Sequence, residues 1–172
     1  MTGIKAYSIK FNGAVLSRGF WLYVCEIKTS RGRYLYVGRT GDSSSSNAAS
    51  PFRRIGQHLD LKENAKGNSL ARRLAEQNIN LMDCEYELIA LGPIDQEQKS
   101  FEAHRPIRDK VGALEYHIAS TLRERGYKIL GNHSRCGEVD YSLFQQIIPF
   151  LNERFPSMLI SNDIIIGNGV CR

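Results

Sequence analysis

Residues 18–40 of the chain read RGFWLYVCEIKTSRGRYLYVGRT, and this stretch decides the fold. Its two arms, 18–28 and 33–40, are rich in aromatic and β-branched residues, whereas the intervening Thr29-Ser30-Arg31-Gly32 has the composition of a turn. Two such arms around a short turn predict a β-hairpin.

The hairpin predicts which side chains share a face. Side chains alternate along a strand, and directly opposed residues lie on the same face. If the loop has an even length, either two residues (Arg31-Gly32) or four, Tyr23 and Tyr36 fall on one face and Gly38 leaves room beside them. The other face is then apolar and belongs to the core, with Leu22, Val24, Leu35 and Val37. An odd loop or a bulge would separate the tyrosines, and tyrosines that only pack are the alternative.

The rest of the chain alternates helical and extended patterns. Ser50-Pro51 resembles a helix cap followed by proline at the first helical position. Pro106 predicts a break or kink, and Gly92-Pro93 predicts the end of a strand. We predict helices over 51–63, 69–78, 96–125 and about 140–153, a strand over 83–91, an extended piece over 127–131 and a flexible Ser/Asn-rich loop over 42–50. Asn68 or Ser69 is expected to cap the second of these helices. Ile164-Ile165-Ile166 fits a final strand or an interaction edge. These elements predict one α+β domain over residues 1–172, with a small antiparallel sheet and helices around it.

The composition is that of an ordinary globular protein with a basic first half. Of 172 residues, 42% are apolar and 24% are charged, and the formal net charge is +5. The first 80 residues contain 13 Lys and Arg against 5 Asp and Glu, which suits a polyanion such as nucleic acid but equally a solvated basic surface. No apolar run reaches the roughly 20 residues of a membrane helix, and no leader-like segment opens the chain. We therefore expect a soluble, cytoplasmic protein.

The four cysteines lack the short paired spacing of a zinc site or a disulfide scaffold. We expect reduced and mostly buried thiols at Cys25, Cys84, Cys136 and Cys171.

Arg54 and His58 lie four residues apart in the first predicted helix, and therefore on the same side of it. A planar guanidinium can bind two phosphate oxygens at once, and an imidazole can exchange protons near neutral pH. A solvated arginine beside a partly buried histidine is the alternative. Arg53 is a rival for the phosphate, but it lies on the far side of the helix from His58.

Glu115 follows Val111 by four residues and precedes Ile118 by three, so it shares the inward face of its helix. A carboxylate is costly to bury unless it meets a cation. Either an ion pair with an arginine or a divalent metal ion would satisfy it. A single carboxylate with open water positions is a common way of holding Mg²⁺ in phosphoryl chemistry.

Five pieces of sequence occur in a fixed order between about residues 19 and 133. They are Trp21-Leu22-Tyr23, Tyr36-Val37-Gly38-Arg39-Thr40-Gly41, Arg54 with His58, Ala113-Leu114-Glu115, and Gly131-Asn132. This order resembles the GIY-YIG nuclease family, although Trp21 and Leu22 replace the family's Gly and Ile. The resemblance implies a three-stranded antiparallel sheet flanked by helices as a catalytic core over about 19–133. Residues 134–172 then form a carboxyl-terminal helix and tail.

The resemblance also implies roles for the candidate residues. Tyr23 or Tyr36 helps to deprotonate the attacking water while the other tyrosine positions it, and Arg54 neutralises the scissile phosphate. His58 assists the proton transfers, and Glu115 holds one divalent cation, with Mg²⁺ as the first choice. Asn132 would orient the cluster, and Arg39 would contact the phosphate. Further candidates for contact with DNA phosphates are Thr40, Arg53, Arg72 and Arg73. Of the unassigned histidines, His133 is expected nearest the site.

The resemblance implies three candidate functions. The first is metal-dependent hydrolysis of double-stranded DNA by a site-specific Type II restriction enzyme, acting alone or as a homodimer, with a cognate methyltransferase acting on the same site. The second is a repair, structure-specific or mobile-element or phage nuclease of the same chemistry. The third is a non-catalytic DNA-binding module, whose signature would be loss of the glutamate or the arginine. No glycine-rich phosphate loop points to a nucleotide-binding enzyme.

Overall fold

A three-stranded antiparallel sheet with helices around it forms the core of the protein. The structure, a computed structural model, describes residues 3–62, 64–135 and 137–156. The strands are β1 (Phe20–Thr29), β2 (Gly32–Arg39) and β3 (Glu85–Asp95), and the helices are α1 (Pro51–His58), α2 (Ser69–Glu76), α3 (Phe101–Glu124) and α4 (Tyr141–Arg154). The strand order is β2-β1-β3, so the predicted fold class is confirmed.

The β1–β2 hairpin has the even loop on which the tyrosine prediction depends. Thr29 pairs with Gly32, so the two-residue loop is Ser30-Arg31, one position earlier than predicted. Further along, Cys25 pairs with Tyr36, which puts Tyr36 on the same face as Tyr23. The predicted shared face is confirmed.

Each face of the sheet packs against its own hydrophobic cluster. The first cluster joins the apolar hairpin face to α3 and α4 and includes Leu22, Val24, Leu35, Val37, Leu114, Ile118, Phe144 and Leu151. The second joins the tyrosine face to α2 and neighbouring loops and includes Cys25, Ile27, Leu70, Leu74, Ile79 and Leu130. The sheet therefore lies between two helical layers, and the tyrosines lie on the α2 side of it.

The two short helices end earlier than predicted. α1 stops at His58 rather than at 63, because the chain turns at Asp60, whose carboxylate accepts a hydrogen bond from Lys62 N at 2.8 Å. α2 stops at Glu76 rather than at 78, because Asn78 takes the left-handed conformation with φ 53°.

β3 and α3 differ from prediction at their prolines. β3 runs through Gly92-Pro93 to Asp95. A register shift between Phe20 and Leu22 accommodates the additional residues of β3 at this point, and β3 is an edge strand, which tolerates proline. α3 starts at Phe101 rather than at 96, after the Ser100 cap, and is continuous through Pro106, so the predicted break does not occur.

The predicted extended piece near 127–131 lies against the free edge of β2. Leu35 N donates to Lys128 O and Leu130 N donates to Leu35 O, both at 2.8 Å, which forms a parallel bridge between Leu35 and Ile129. This bridge fixes the chain that follows α3 beside the tyrosine face.

A buried acid joins the sheet to α4. Glu26 is 2% exposed and forms ion pairs with Arg33 at 2.9 Å and Arg154 at 3.2 Å. Cys25 and Cys84 are free thiols, whereas Cys136, Cys171 and the 164–166 segment lie outside the described residues. Among the described helices, none combines the length and the apolar composition required to cross a membrane.

Candidate active site

A polar cavity of about 540 Å³ opens over the tyrosine face of the hairpin. It collects side chains from β1, β2, α1, the start of α2 and α3, so it depends on the whole fold. Its lining is Tyr23, Tyr36, Gly38, Arg39, Gly41, Asp42, Ser43, Ser44, Arg54, His58, Gly67, Ser69 and Glu115. The structure thus brings together five of the six predicted catalytic residues, and Arg39 with them.

Gly38 is the position that makes room for Tyr23. The two residues are paired across β1 and β2, and the tyrosine ring lies directly over the glycine. A Cβ built on Gly38 would lie 2.5 Å from three atoms of the Tyr23 side chain, including Oη. The predicted space at Gly38 is therefore filled by the Tyr23 ring.

A chain of hydrogen bonds links the two tyrosines through His58. Tyr23 Oη lies 2.7 Å from His58 Nε2, and His58 Nδ1 lies 3.0 Å from Gly67 O and 2.8 Å from Ser69 Oγ. Ser69 Oγ lies 3.1 Å from Tyr36 Oη. Because a carbonyl can only accept, we assign the imidazole proton to Nδ1, which leaves Nε2 to accept from the Tyr23 hydroxyl.

The surroundings keep this network neutral. Burial, together with the nearby Arg54, lowers the pKa of His58 to about 4. Burial raises the pKa of Tyr23 well above its usual value, and the neighbouring Tyr36 adds to the rise while Arg54 opposes it. Burial also raises the pKa of Tyr36, against the opposing hydrogen bond from Ser69. At neutral pH both phenols are protonated and His58 is an uncharged acceptor.

Glu115 forms an ion pair with Arg39. An ion pair with an arginine is one of the two ways in which its buried carboxylate was predicted to be satisfied. Arg39 Nε lies 3.0 Å from Glu115 Oε2, and the two side chains are 21% and 23% exposed. Burial raises the pKa of Glu115, although Arg39, His133 and Arg54 all oppose the rise. Two guanidiniums and the His133 imidazole therefore surround one desolvated carboxylate at the wall of the cavity.

Arg54 has an unused donor at the site. Its Nη1 donates to Gln57 Oε1 at 2.8 Å, but its Nε is buried and has no hydrogen-bond partner within the described part of the chain. Buried guanidinium donors are normally satisfied by protein, water or ligand. Arg54 lines the cavity, and an anion that reached its Nε would satisfy this donor.

The loop predicted to be flexible forms a tethered wall of the cavity. His104, which is fully buried, places Nε2 2.9 Å from Asp42 O, and Arg108 Nη1 donates to Ser43 O at 2.9 Å. Asp42 Oδ2 accepts from Asn47 Nδ2 at 2.9 Å. These bonds attach residues 42–47 to α3 and to themselves.

His133 lies near the site, as predicted for it. Its Nε2 lies 3.0 Å from Val37 O, and it contributes to the electrostatic field at Glu115. It does not line the cavity.

The remaining predicted site residues lie outside the cavity. Thr40 is buried, and its hydroxyl accepts from Trp21 N at 2.8 Å and donates to Gly19 O at 2.6 Å, so it holds the strand ends together and cannot reach DNA. Arg53 and Arg72 are exposed on the surfaces of α1 and α2. Asn132 and Arg73 line a separate cavity on the other side of Tyr36.

Sequence reasoning missed Ser69 and the backbone carbonyl of Gly67. Ser69 was a candidate helix cap, yet its hydroxyl bonds to His58 and Tyr36, and Asn68 occupies the cap position without a side-chain bond. The sequence signal was Gly67-Asn68-Ser69 at the start of a predicted helix. A serine hydroxyl at that position can bond to a neighbouring side chain instead of capping the helix.

Within residues 3–62, 64–135 and 137–156, no group of three or more His, Cys, Asp or Glu side chains is arranged to hold a metal ion. A divalent ion at the cavity would therefore rely on Glu115 and water rather than on a protein cage.

Comparison of the chain with family models, with curated proteins and with solved structures gave no match.

Proposed function

We propose that this protein is a metal-dependent endonuclease that hydrolyses phosphodiester bonds in DNA. The observation that supports it best is the convergence of Tyr23, Tyr36, Arg54, His58 and Glu115 on one polar cavity. These residues come from β1, β2, α1 and α3, and their order along the chain is the one that resembles GIY-YIG nucleases. Packing alone does not require two phenols, a guanidinium, an imidazole and a carboxylate to face one opening.

The hydrogen bonds favour Tyr23 as the tyrosine that acts on water. Its hydroxyl proton can move to His58 Nε2, and the resulting phenolate can take a proton from the attacking water. This transfer is uphill in the free protein, because burial disfavours both charged forms. Arg54 lowers the pKa of Tyr23 and so stabilises the phenolate. Tyr36, held by Ser69, then positions the water.

Arg54 and Arg39 supply the positive charge that a scissile phosphate needs. Arg54 Nε finds no acceptor among the residues that the structure describes, and a charge-assisted hydrogen bond to phosphate would satisfy it. Arg39 balances Glu115 and adds a second guanidinium at the edge of the cavity.

The residues present fit one Mg²⁺ ion. Glu115 Oε1 makes no hydrogen bond among the described residues, whereas Oε2 is held by Arg39, so one carboxylate oxygen remains for a cation. The influence of Arg39, His133 and Arg54 on the pKa of Glu115 also opposes the effect of its burial. When bound there, Mg²⁺ would stabilise the charge of the leaving 3′ oxygen.

Among biological uses, we infer a site-specific Type II restriction enzyme that acts in the cytoplasm on double-stranded DNA, as a monomer or homodimer, with a cognate methyltransferase acting on the same sequence. A repair, structure-specific or mobile-element or phage nuclease is the alternative within the same chemistry. A non-cleaving DNA-binding module is disfavoured by the presence of both Arg54 and Glu115 in the cavity.

Incubation of purified protein with supercoiled plasmid and Mg²⁺, followed by mapping of the cut ends, tests the proposal. Discrete fragments support restriction, and preference for flaps or branched DNA supports a structure-specific nuclease. Arg54→Ala should lower the rate about 100- to 1,000-fold. Arg53→Ala, on the exposed side of the same helix, is the matched control and should still cut at saturating DNA. DNA binding without cutting under any divalent metal would overturn the hydrolytic proposal.

A further inference from the structure

A second cavity, of about 460 Å³, lies directly beside the candidate active site. It is lined by Tyr34, Arg73, Glu76, Gln77, Lys128, Ile129, Leu130, Gly131 and Asn132. The two cavities share a wall at Tyr36, because a Cβ built on Gly131 would lie 3.9 Å from both the Tyr36 ring and Arg73 Nε. Tyr36 of the first cavity and Gly131 of the second are therefore neighbours at the boundary between the two.

Two parallel rows of side chains connect the cavities. Tyr36 and Tyr34 are two residues apart on β2, on the same face and separated by about 7 Å. Ser69 and Arg73 are four residues apart on α2 and stack one turn apart, at about 5–6 Å. Tyr36 and Ser69 belong to the first cavity, and Tyr34 and Arg73 to the second. The offset is similar to the spacing of successive phosphates along a nucleic acid strand.

Cations gather around the second cavity. Arg73 and Lys128 line it, and Lys128 Nζ lies 5.4 Å from the centre of the Tyr34 ring. Arg31 Nη1 donates to Gln77 O at 2.9 Å and Arg123 Nη2 donates to Gly131 O at 3.4 Å, so two more guanidiniums lie at its rim. This arrangement of positive charge and one aromatic face suits a nucleotide.

Glu76 is the acidic side chain in this lining and pairs with Arg73 at 3.0 Å. The two side chains are 55% and 39% exposed, so solvent screens the pair and its contribution is small. Among the described residues Arg73 bonds through Nη1, which leaves the rest of the guanidinium for a second partner.

We propose that the second cavity binds the nucleotide adjacent to the scissile phosphate. Arg73 and Lys128 bind the phosphate of this nucleotide, its base or sugar rests on Tyr34, and the Asn132 amide hydrogen-bonds a base edge. The inference rests on the proposed function, because it takes the first cavity as the place of cleavage.

The test is DNA binding without catalysis. A short fluorescein-labelled duplex of mixed sequence is titrated in chelator, by anisotropy, over a range of salt concentrations. Arg73→Gln and Lys128→Gln should each weaken binding and reduce the slope of log affinity against log salt by about 1. Glu76→Gln should strengthen binding. Glu153→Gln, on α4 at the opposite face of the sheet, makes the same charge change and should leave binding unchanged.

A second arm locates the contact once the cut has been mapped. A neutral methylphosphonate at the phosphate next to the cut should weaken binding by the wild type but have no further effect on Arg73→Gln. This inference would be overturned if Glu76→Gln and Glu153→Gln had equal effects on binding. It would also be overturned if both Arg73→Gln and Lys128→Gln kept the wild-type affinity and salt slope. In either case the proposed function would remain supported if the wild type cuts plasmid. Failure of the wild type to bind or cut DNA would overturn the proposed function as well.

Discussion

Tyr23 Oη and His58 Nε2 lie 2.7 Å apart, and the far side of the same imidazole is held 3.0 Å from the carbonyl of Gly67. The ring is therefore fixed as a neutral acceptor between β1, α1 and the 60–68 loop. Both partners are almost completely buried, at 1% and 2% exposure. Burial of this pair, together with the nearby Arg54, determines the ionisation of His58 and makes the stability of the fold depend on pH.

Stability should fall as the pH is lowered through the titration of His58. Its pKa is about 4 in the folded protein and near 6.5 when unfolded, so below about pH 6.5 the unfolded chain binds the extra proton. The contribution is fully present above pH 6.5 and is lost as the pH falls to about 4, a total of about 3 kcal/mol. Urea unfolding across this range measures it. His58→Gln should flatten the wild-type slope, and equal slopes in both proteins would contradict the assignment.

Gly38→Ala should destabilise the protein by about 1–3 kcal/mol and impair cleavage, because the added methyl would lie 2.5 Å from the Tyr23 ring. Gly56→Ala in α1 is the matched control, since a Cβ there meets nothing within 4 Å and alanine favours a helix by about 0.5–1 kcal/mol. Urea unfolding of both variants should give opposite signs. A stable, active Gly38→Ala protein would show that the ring can move aside.

Glu115→Gln should lower the cleavage rate about 100- to 1,000-fold, because it removes the charged ligand proposed for Mg²⁺ while keeping the side chain's shape. Loss of the negative charge also removes the ion-pair partner of Arg39, whose guanidinium can then contact a phosphate. DNA binding measured in chelator should therefore be retained or slightly stronger. Single-turnover cleavage and anisotropy separate the two effects. Glu124→Gln, at the end of the same helix, serves as the control. Near-wild-type cutting by Glu115→Gln would rule out the proposed ligand.

Ser69→Ala should slow cleavage while lowering the free energy of unfolding only slightly. Its hydroxyl connects Tyr36 Oη at 3.1 Å with His58 Nδ1 at 2.8 Å, whereas His58 retains its bond to Gly67 O. The imidazole therefore stays satisfied, and the loss in unfolding free energy should be about 1 kcal/mol. Single-turnover rates compared with those of Ser134→Ala, an exposed serine, provide the measurement. Unchanged rates would show that Tyr36 needs no anchor.

Glu26→Ala should lower the free energy of unfolding by about 1–3 kcal/mol, and this expectation does not depend on the proposed function. The carboxylate is buried and binds Arg33 and Arg154. Without it Arg33 would lose this partner, whereas Arg154 would keep Glu87, and both arginines are 39% exposed and can hydrate. Glu87→Ala, which changes the neighbouring acid on β3 that is 51% exposed, should have a smaller effect. Thermal unfolding of the two variants gives the comparison.

Strand alternation made the hairpin faces predictable. The grouping of Tyr23 with Tyr36 depends only on the parity of the loop, so an error of one residue in the loop position left it intact. The helical spacing of Glu115 likewise predicted an inward carboxylate. These features are local and repeat with a fixed period.

Tertiary contacts explain what sequence reasoning missed. Arg39 and Glu115 are 76 residues apart, and nothing in the periodicity of either element indicates that they meet. Ser69 was missed because a serine before a helix usually caps it, and only the position of His58 redirects its hydroxyl. Thr40 was proposed to contact DNA, yet its hydroxyl is occupied by backbone groups that only the folded β1–β2 pairing brings close.

The first turn of α2 carries Ser69, and Asn68 before it provides no side-chain cap. Helix ends without caps open more readily than the rest of a structure, through local fluctuations that leave the core intact. Each such opening would break the hydrogen bonds of Ser69 to Tyr36 and to His58 at the same time. Amide exchange at Arg72, whose N–H donates to Asn68 O at 3.1 Å, would therefore report the fraction of molecules with an assembled site, and that fraction should decline on warming well before the protein melts.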